Sequence, residues 1–335
     1  FFTRNVNFAI SYCVANGDTA PFMGHNAWLR WSAVQEVAAA DPDDGIKKIW
    51  AEWTVSEDFE MSMRLLIAGY ITRWATYSKN GYLEGVSLTC QDELNRWQKY
   101  AFGVSELLFH PLHQWVYKGP ITPLWRRYIW AKQIPLHAKM GCFSYIFSYY
   151  AIASAFPLTI ALTLAQAWAA PVLDQAFLEP FQVWVAVVVI FCGLGNFGYM
   201  AAKFRARTQS FQPILKDHIK WAFFMITFFG GISYHVMTAL FAHLVCYNMT
   251  WGSTLKDLED SNFFKEIPAI LKHNWQLLIL CFTVLAGTGV IFSDLLPIAW
   301  QGHGGWFVWW TPVLLSGGHI LYHFVLNPQL LRFSF

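Results

Sequence analysis

Apolar and polar positions follow two different rhythms along this chain. Beyond residue 140 they separate into long apolar runs at 141–168, 181–202, 275–293 and 306–326. Each is long enough to cross a bilayer as a helix. Trp and Tyr gather at the ends of these runs, as they do at membrane–water interfaces. A fifth apolar stretch, 219–245, carries His235 and His243 and is interrupted by Gly230-Gly231. Before residue 100 the rhythm is shorter. Residues 50–55, 71–77 and 86–89 predict strands. Residues 59–69 predict a helix with Met61, Leu65 and Ala68 on one face and Phe59, Met63 and Leu66 on the adjoining one. Thr54 and Glu57 fit a capping box at its start, and Gly69 ends it. Residues 92–108 predict a second helix, and residues 41–45 a loop. Residues 21–30 read as a strand, a glycine-pivoted turn and a helix start. Such alternation predicts an α/β domain over 1–100. Interfacial amphipathic helices are expected over 101–140, and an α-helical multi-pass membrane domain over 141–335.

Composition sharpens this picture. The chain of 335 residues is 56% hydrophobic and 13% charged, against about 25% charged in soluble domains. So little charge excludes a disordered chain, a coiled coil and a basic nucleic-acid binder. The net charge of +2 marks no strongly charged partner. Cys13, Cys90, Cys142, Cys192, Cys246 and Cys281 form no C-x-x-C pair and predict reduced, buried thiols, not a disulfide frame or zinc site. The chain opens at Phe1 without a signal peptide and is expected to be a portion of a longer or trimmed protein.

Loop charge sets an expected topology. The 169–180 and 294–305 loops carry no Lys or Arg. Lys203, Arg205, Arg207, Lys216 and Lys220 follow the second run, and Lys256, Lys265 and Lys272 lie in 247–274. Cationic loops stay in the cytosol. That rule is satisfied by four spans if 219–245 enters and leaves on the cytosolic side as an interfacial or re-entrant helix. Five plain spans would put Lys256, Lys265 and Lys272 outside. The four-span layout predicts that the Asn248-Met249-Thr250 sequon carries no glycan, and a glycan found there by mass spectrometry would overturn it.

Two strings carry candidate chemistry. Glu57 and Asp58 stand where a strand is expected to end and a helix to begin, the functional edge of an open α/β sheet. An acid there is also an ordinary helix cap. As a general base, an ionised carboxylate at that place takes the proton of a sugar hydroxyl. In the string Glu93-Leu94-Asn95-Arg96-Trp97, a guanidinium can neutralise a diphosphate with paired hydrogen bonds and an indole can stack under a sugar ring. An interfacial helix with belt tryptophans and a snorkelling Arg96 is the plainer alternative.

In order, Gly24-His25-Asn26-Ala27-Trp28-Leu29-Arg30, Ser56-Glu57-Asp58, Glu93–Trp97 and the apolar runs resemble the second half of an inverting family 2 glycosyltransferase. The pattern is similar to the membrane-embedded polysaccharide synthases, such as cellulose and hyaluronan synthases. The first string resembles F-C-G-[ST]-N-x-x-x-R, the second T-E-D, and the third Q-x-x-R-W with Glu93 at the Gln place. Residues 248–256 (NMTWGSTLK) resemble, more loosely, the gating loop F-x-V-T-x-K. The resemblance covers about 5 to 300 and implies the second half of a GT-A type fold with its catalytic side cytosolic. It implies Asp58 as base, with Glu57 beside it, and Glu93, Arg96 and Trp97 as substrate-binding residues. Gly24, His25 and Asn26 would join the binding site, and Trp251, Thr254 and Lys256 would form the gating loop. The implied partners are a UDP-sugar, UDP-glucose first, a polysaccharide or glycolipid acceptor and a lipid bilayer. The implied location is the plasma membrane or Golgi. A divalent metal, Mg or Mn, is implied too, but its D-x-D site lies upstream of the Gly24 string in the family. Asp41-Pro42-Asp43 matches only in form. Phe143, Tyr145, Tyr149 and Tyr150 are possible channel liners.

Two other readings stay open. A non-processive glycosyltransferase acting on a lipid acceptor also carries an R-W string. His319 and His323, four residues apart, with His235 and His243, could instead ligate haem or a metal in a membrane redox protein; buried, hydrogen-bonded histidine is the alternative. Neither a G-x-S-x-G elbow nor a phosphate-cradling P-loop is present.

Overall fold

The computed structural model describes residues 1–22, 26–76, 87–173, 180–207, 209–251 and 261–332. Helices α1 (Phe2–Ala15) and α2 (Trp31–Glu36) precede a short antiparallel pair, β1 (Ala39–Ala40) and β2 (Lys47–Lys48). Ala39 pairs with Lys48 and Ala40 with Lys47 across the 41–45 turn. Then come α3 (Glu57–Ile67), α4 (Cys90–Leu108), α5 (Trp115–Lys118), α6 (Pro123–Trp130) and α7 (Leu136–Leu173). Next are α8 (Pro180–Val187), a π-helical stretch (Val188–Leu194) and α9 (Gly195–Arg205). The order closes with α10 (Phe211–Gly231), α11 (Ser233–Leu244), α12 (Phe263–Ile291) and α13 (Trp306–Val325). The chain divides into two compact units. Unit 1 is Phe1–Leu88, Asp92–Ile152 and His235–Lys256; unit 2 is Thr89–Gln91, Ala153–Tyr234 and Asp257–Phe335.

The α/β expectation is met only in part. Among the described residues the sheet is the β1–β2 pair. Residues 50–55 turn, residues 71–76 run extended outside any ladder, and residues 87–89 lead into α4. Residues 21–22 and 26–30 form neither strand nor helix. A strand is held by hydrogen bonds from a neighbour. The 71–76 stretch is tied instead to the N-terminal segment: Ala20 N donates to Thr72 O at 3.2 Å, Thr72 Oγ1 donates to Ala20 O at 2.5 Å, and Trp74 Nε1 donates to Asn7 Oδ1 at 3.1 Å.

The helix predicted over 59–69 forms as α3. Its Met61 and Leu65 pack on Ala33, Val34 and Val37 of the α2 region. Full burial of such side chains stabilises by about 1.5–3 kcal/mol each. Ala68, beyond the last turn, is exposed, and Gly69 takes φ +90° to end the helix. On the same helix, Arg64 donates to Glu60 at 2.7 Å, to Ile49 O at 2.7 Å and to Val37 O. This buried cation joins α3 to the end of α2 and to the residue after β2. Burial pushes the Glu60 carboxyl upward, with the Arg64 guanidinium opposing.

Four helical segments among the described residues are long and apolar enough to cross a membrane: Leu136–Ala169, Trp184–Arg205, Phe211–Leu244 and Phe263–Ile291. Three coincide with the runs at 141–168, 181–202 and 275–293. The fourth differs. The run at 306–326 forms α13 but is not among these four, whereas α10 and α11, parted at Ile232, together reach the required length. The Gly230-Gly231 pair stands where the apolar stretch parts, as the sequence predicts, since α10 ends at Gly231. Within unit 2 it is a packing contact: a Cβ on Gly231 would lie 2.3 Å from the Tyr322 ring, and one on Gly318 would lie 2.8 Å from Gly230 O. Small residues let membrane helices approach this closely. Helix α12 bends at Asn274 (φ −109°, ψ 17°), one residue before the predicted run starts. The cysteines are free, as expected, but only Cys281 is buried; Cys13, Cys192 and Cys246 are exposed.

Candidate active site

Helix α4 organises the site because its side chains reach three neighbouring segments of unit 1. Near its start, Glu93, Arg96 and Trp97 fall one turn apart and so share a face. Trp97 Nε1 donates to Glu93 Oε1 at 3.1 Å, and Arg96 Nη1 meets Glu93 Oε2 at 3.4 Å. Arg96 also donates to Ser87 Oγ at 3.1 Å and to Tyr100 OH at 3.0 Å. A carboxylate at the family's Gln place can accept from indole and guanidinium together. It holds both while the Arg96 side chain keeps 36% of its surface exposed, accessible to an anion.

Asp58 sits in the first turn of α3, half-buried, with Oδ1 accepting from Phe59 N at 2.7 Å; Glu57 beside it is exposed. The capping box expected from Thr54 and Glu57 does not form. Ser56 is the N-cap and makes no side-chain cap bond. Thr54 Oγ1 donates to Glu106 Oε2 at 2.9 Å, and Val55 N donates to the same oxygen at 2.8 Å. The helix starts two residues later than a Thr54 cap would set, and the Thr54 hydroxyl accepts from Ser56 N at 3.3 Å instead. Burial raises the Glu106 carboxyl, while the Val55 and Thr54 donors pull it back.

Aromatic rings on the early turns of α7 connect the two strings. Trp97 lies 5.7 Å from Tyr149, Tyr149 lies 5.4 Å from Tyr145, and Tyr145 lies 5.6 Å edge-on from Phe59, next to Asp58. The tyrosine hydroxyls are 3.1 Å apart. One aromatic row thus runs from Trp97 on α4 to Phe59, the residue after Asp58 on α3. Helix α11 lies along the other side of α4: Gln98 Nε2 donates to His235 O at 3.3 Å, and Ser105 Oγ meets His243 Nδ1 at 2.8 Å. Trp251 packs its ring 5.5 Å from Phe102 of α4. Thr254 and Lys256 lie outside the described residues, as do Gly24 and His25; Asn26 is exposed.

Residues 1–168 match the family model described as glycosyl transferase family group 2. The chain belongs to this family. No curated protein and no solved structure matches it. The matched part of this glycosyltransferase holds Asp58, Glu93, Arg96, Trp97, Tyr145 and Tyr149. A glycosyltransferase of this kind works on a nucleotide-sugar donor and an acceptor, and its apolar helices imply a bilayer.

The divalent metal that the family implies does not fit the one D-x-D string. Asp41 accepts from Lys48 Nζ at 2.7 Å and from Asp43 N at 2.8 Å, so its carboxylate already closes the β1–β2 turn. Lys48 holds the Asp41 carboxyl below its usual value. Nor do the described residues bring together three ligands able to hold a metal. His319 of the redox alternative is engaged as well. His319 Nδ1 bonds Leu315 O at 2.7 Å, and its Nε2 receives Tyr234 N and Ser233 Oγ, each at 3.1 Å. Both ring nitrogens serve the fold, His319 capping the start of α11 from α13.

Sequence reading missed Glu106 and Gly103. The available signal was an acid placed within the apolar second half of α4, Phe102 to Leu108.

Proposed function

We propose that this glycosyltransferase is an inverting, membrane-embedded enzyme that builds a β-linked polysaccharide from UDP-glucose on the cytosolic face of the plasma membrane or Golgi. The single observation behind this reading is the aromatic row through Tyr145 and Tyr149. It runs from Trp97, which Glu93 holds together with Arg96, to Phe59, the residue after Asp58. Asp58 takes the proton of the acceptor hydroxyl as that oxygen attacks the anomeric carbon. The bond to the nucleotide breaks on the opposite face, which inverts the centre. Arg96 neutralises the departing diphosphate. Trp97 stacks under the acceptor sugar.

Processivity is supported by two neighbours of α4: α11 laid along Gln98 and Ser105, and Trp251 on Phe102 at the root of the gating-like loop. Full-length enzyme in membranes, given radiolabelled UDP-glucose, is expected to form a long β-glucan. Asp58→Asn is expected to lower transfer by about 10²–10⁴-fold with unchanged folding. Retained transfer would remove Asp58 from its role, and a single added sugar would favour the non-processive, lipid-acceptor enzyme.

A further inference from the structure

The turn that delivers Asp58 is held by more than its own helix, in which Glu60 N donates to Ser56 O at 3.0 Å. Its cap residue, Ser56, makes no side-chain cap bond. Two polar groups just before it, Thr54 Oγ1 and Val55 N, both end on one oxygen of Glu106 at 2.9 and 2.8 Å. One helical turn earlier on α4, Gly103 leaves the space that Ser56 fills: a Cβ there would stand 1.9 Å from Ser56 Oγ and 2.8 Å from its Cβ. Thr54 and Glu106 are 52 residues apart, so this is a tertiary contact, not a local turn preference. Glu106 makes it from the same rigid helix that carries Glu93, Arg96 and Trp97.

We infer that Glu106 is a positioning residue: it fixes the Thr54-Val55 backbone against α4, with Gly103 as the seat for Ser56, and so sets the place of the Asp58 carboxylate relative to Arg96 and Trp97. The catalytic half of this inference rests on the function proposed above. A helix of ten residues between Arg96 and Glu106 is a spacer of about 15 Å. It gives base and leaving-group stabiliser a common frame, and pre-organisation of this kind acts on the rate more than on ground-state binding. The acceptor oxygen is what matters, not the charge. A Gln carbonyl can receive the same hydroxyl and N–H, whereas Leu cannot.

The test compares Glu106→Leu and Glu106→Gln in the full-length enzyme, with two readouts. Hydrogen exchange reads the Val55 amide without any reference to activity, and initial rates with UDP-glucose give kcat and the donor KM. For Glu106→Leu, Val55 exchange is expected to rise about tenfold and kcat to fall about tenfold with KM little changed. Glu106→Gln is expected to restore both. Gly103→Ala supplies a second route should Glu106→Leu fail to fold: it is expected to lower kcat, with partial recovery when Ser56→Gly is added to make room. Unchanged Val55 exchange in Glu106→Leu, no rescue by Gln, or a wild-type rate in Gly103→Ala would overturn the inference. If wild-type enzyme transfers no sugar, or Asp58→Asn keeps its rate, the catalytic reading fails by itself, and the exchange data still judge the hold of Glu106 on the turn.

Discussion

Helices α3 and α4 in unit 1 are secured by carboxylates. Glu60 pairs with Arg64, which reaches two backbone carbonyls, and Glu106 receives a hydroxyl and an amide from the turn before α3. Helices α10 and α13 in unit 2 are secured by the absence of side chains: Gly231 against Tyr322 and Gly318 against Gly230 O, with one imidazole, His319, closing the start of α11. The two solutions follow from what each unit must position. A turn that presents an acid needs directional bonds, since only these fix a backbone to a fraction of an ångström. Apolar helices gain nothing from a hydrophobic drive between themselves in lipid, so close backbone approach does the work.

The contrast can be broken at three places. The largest effect is expected in unit 1, where Arg96→Lys removes the forked donor but keeps the charge. The loss in kcat is expected near 10²-fold, and a wild-type rate in steady-state kinetics would show that Arg96 does not meet the leaving group. Next comes the glycine contact in unit 2. Gly318→Ala drives a methyl into Gly230 O and is expected to cost about 1–3 kcal/mol, whereas Gly317→Ala meets open space and is expected to be neutral or to stabilise by up to about 1 kcal/mol. Thermal unfolding in detergent compares them, and equal melting temperatures would deny the close approach. The smallest effect concerns Glu106. Burial raises its native carboxyl above that of the unfolded chain, so the folded state binds the proton more tightly. Its contribution is therefore present in full below the unfolded value and is lost as pH rises through the raised native one. Glu106→Gln is expected to flatten that decline in a melting series against pH; an unaltered slope would place the titration elsewhere.

Several features were legible because they are local. The apolar runs at 141–168, 181–202 and 275–293 become helices long enough to span, and Met61 and Leu65 define the buried face of α3. The spacing of Glu93, Arg96 and Trp97 already put them one helical turn apart. The strands expected at 50–55 and 71–77 were misread because alternation shows what suits a strand, not whether a neighbour is there to bond it. The break at Gly230-Gly231 was legible, since α10 ends at Gly231, but that α13 takes the vacated space was not.

Side-chain periodicity, which depends only on residues a few places apart, settled the apolar helices and the helical spacing of the α4 string. Folding decided what lies across large separations. It joined Thr54 to Glu106, brought Phe59, Tyr145, Tyr149 and Trp97 into one row, and committed Asp41 to Lys48 and His319 to the start of α11. A hydrogen bond or ring contact acts over a few ångströms, and no local pattern in a linear chain states which distant groups will come that near.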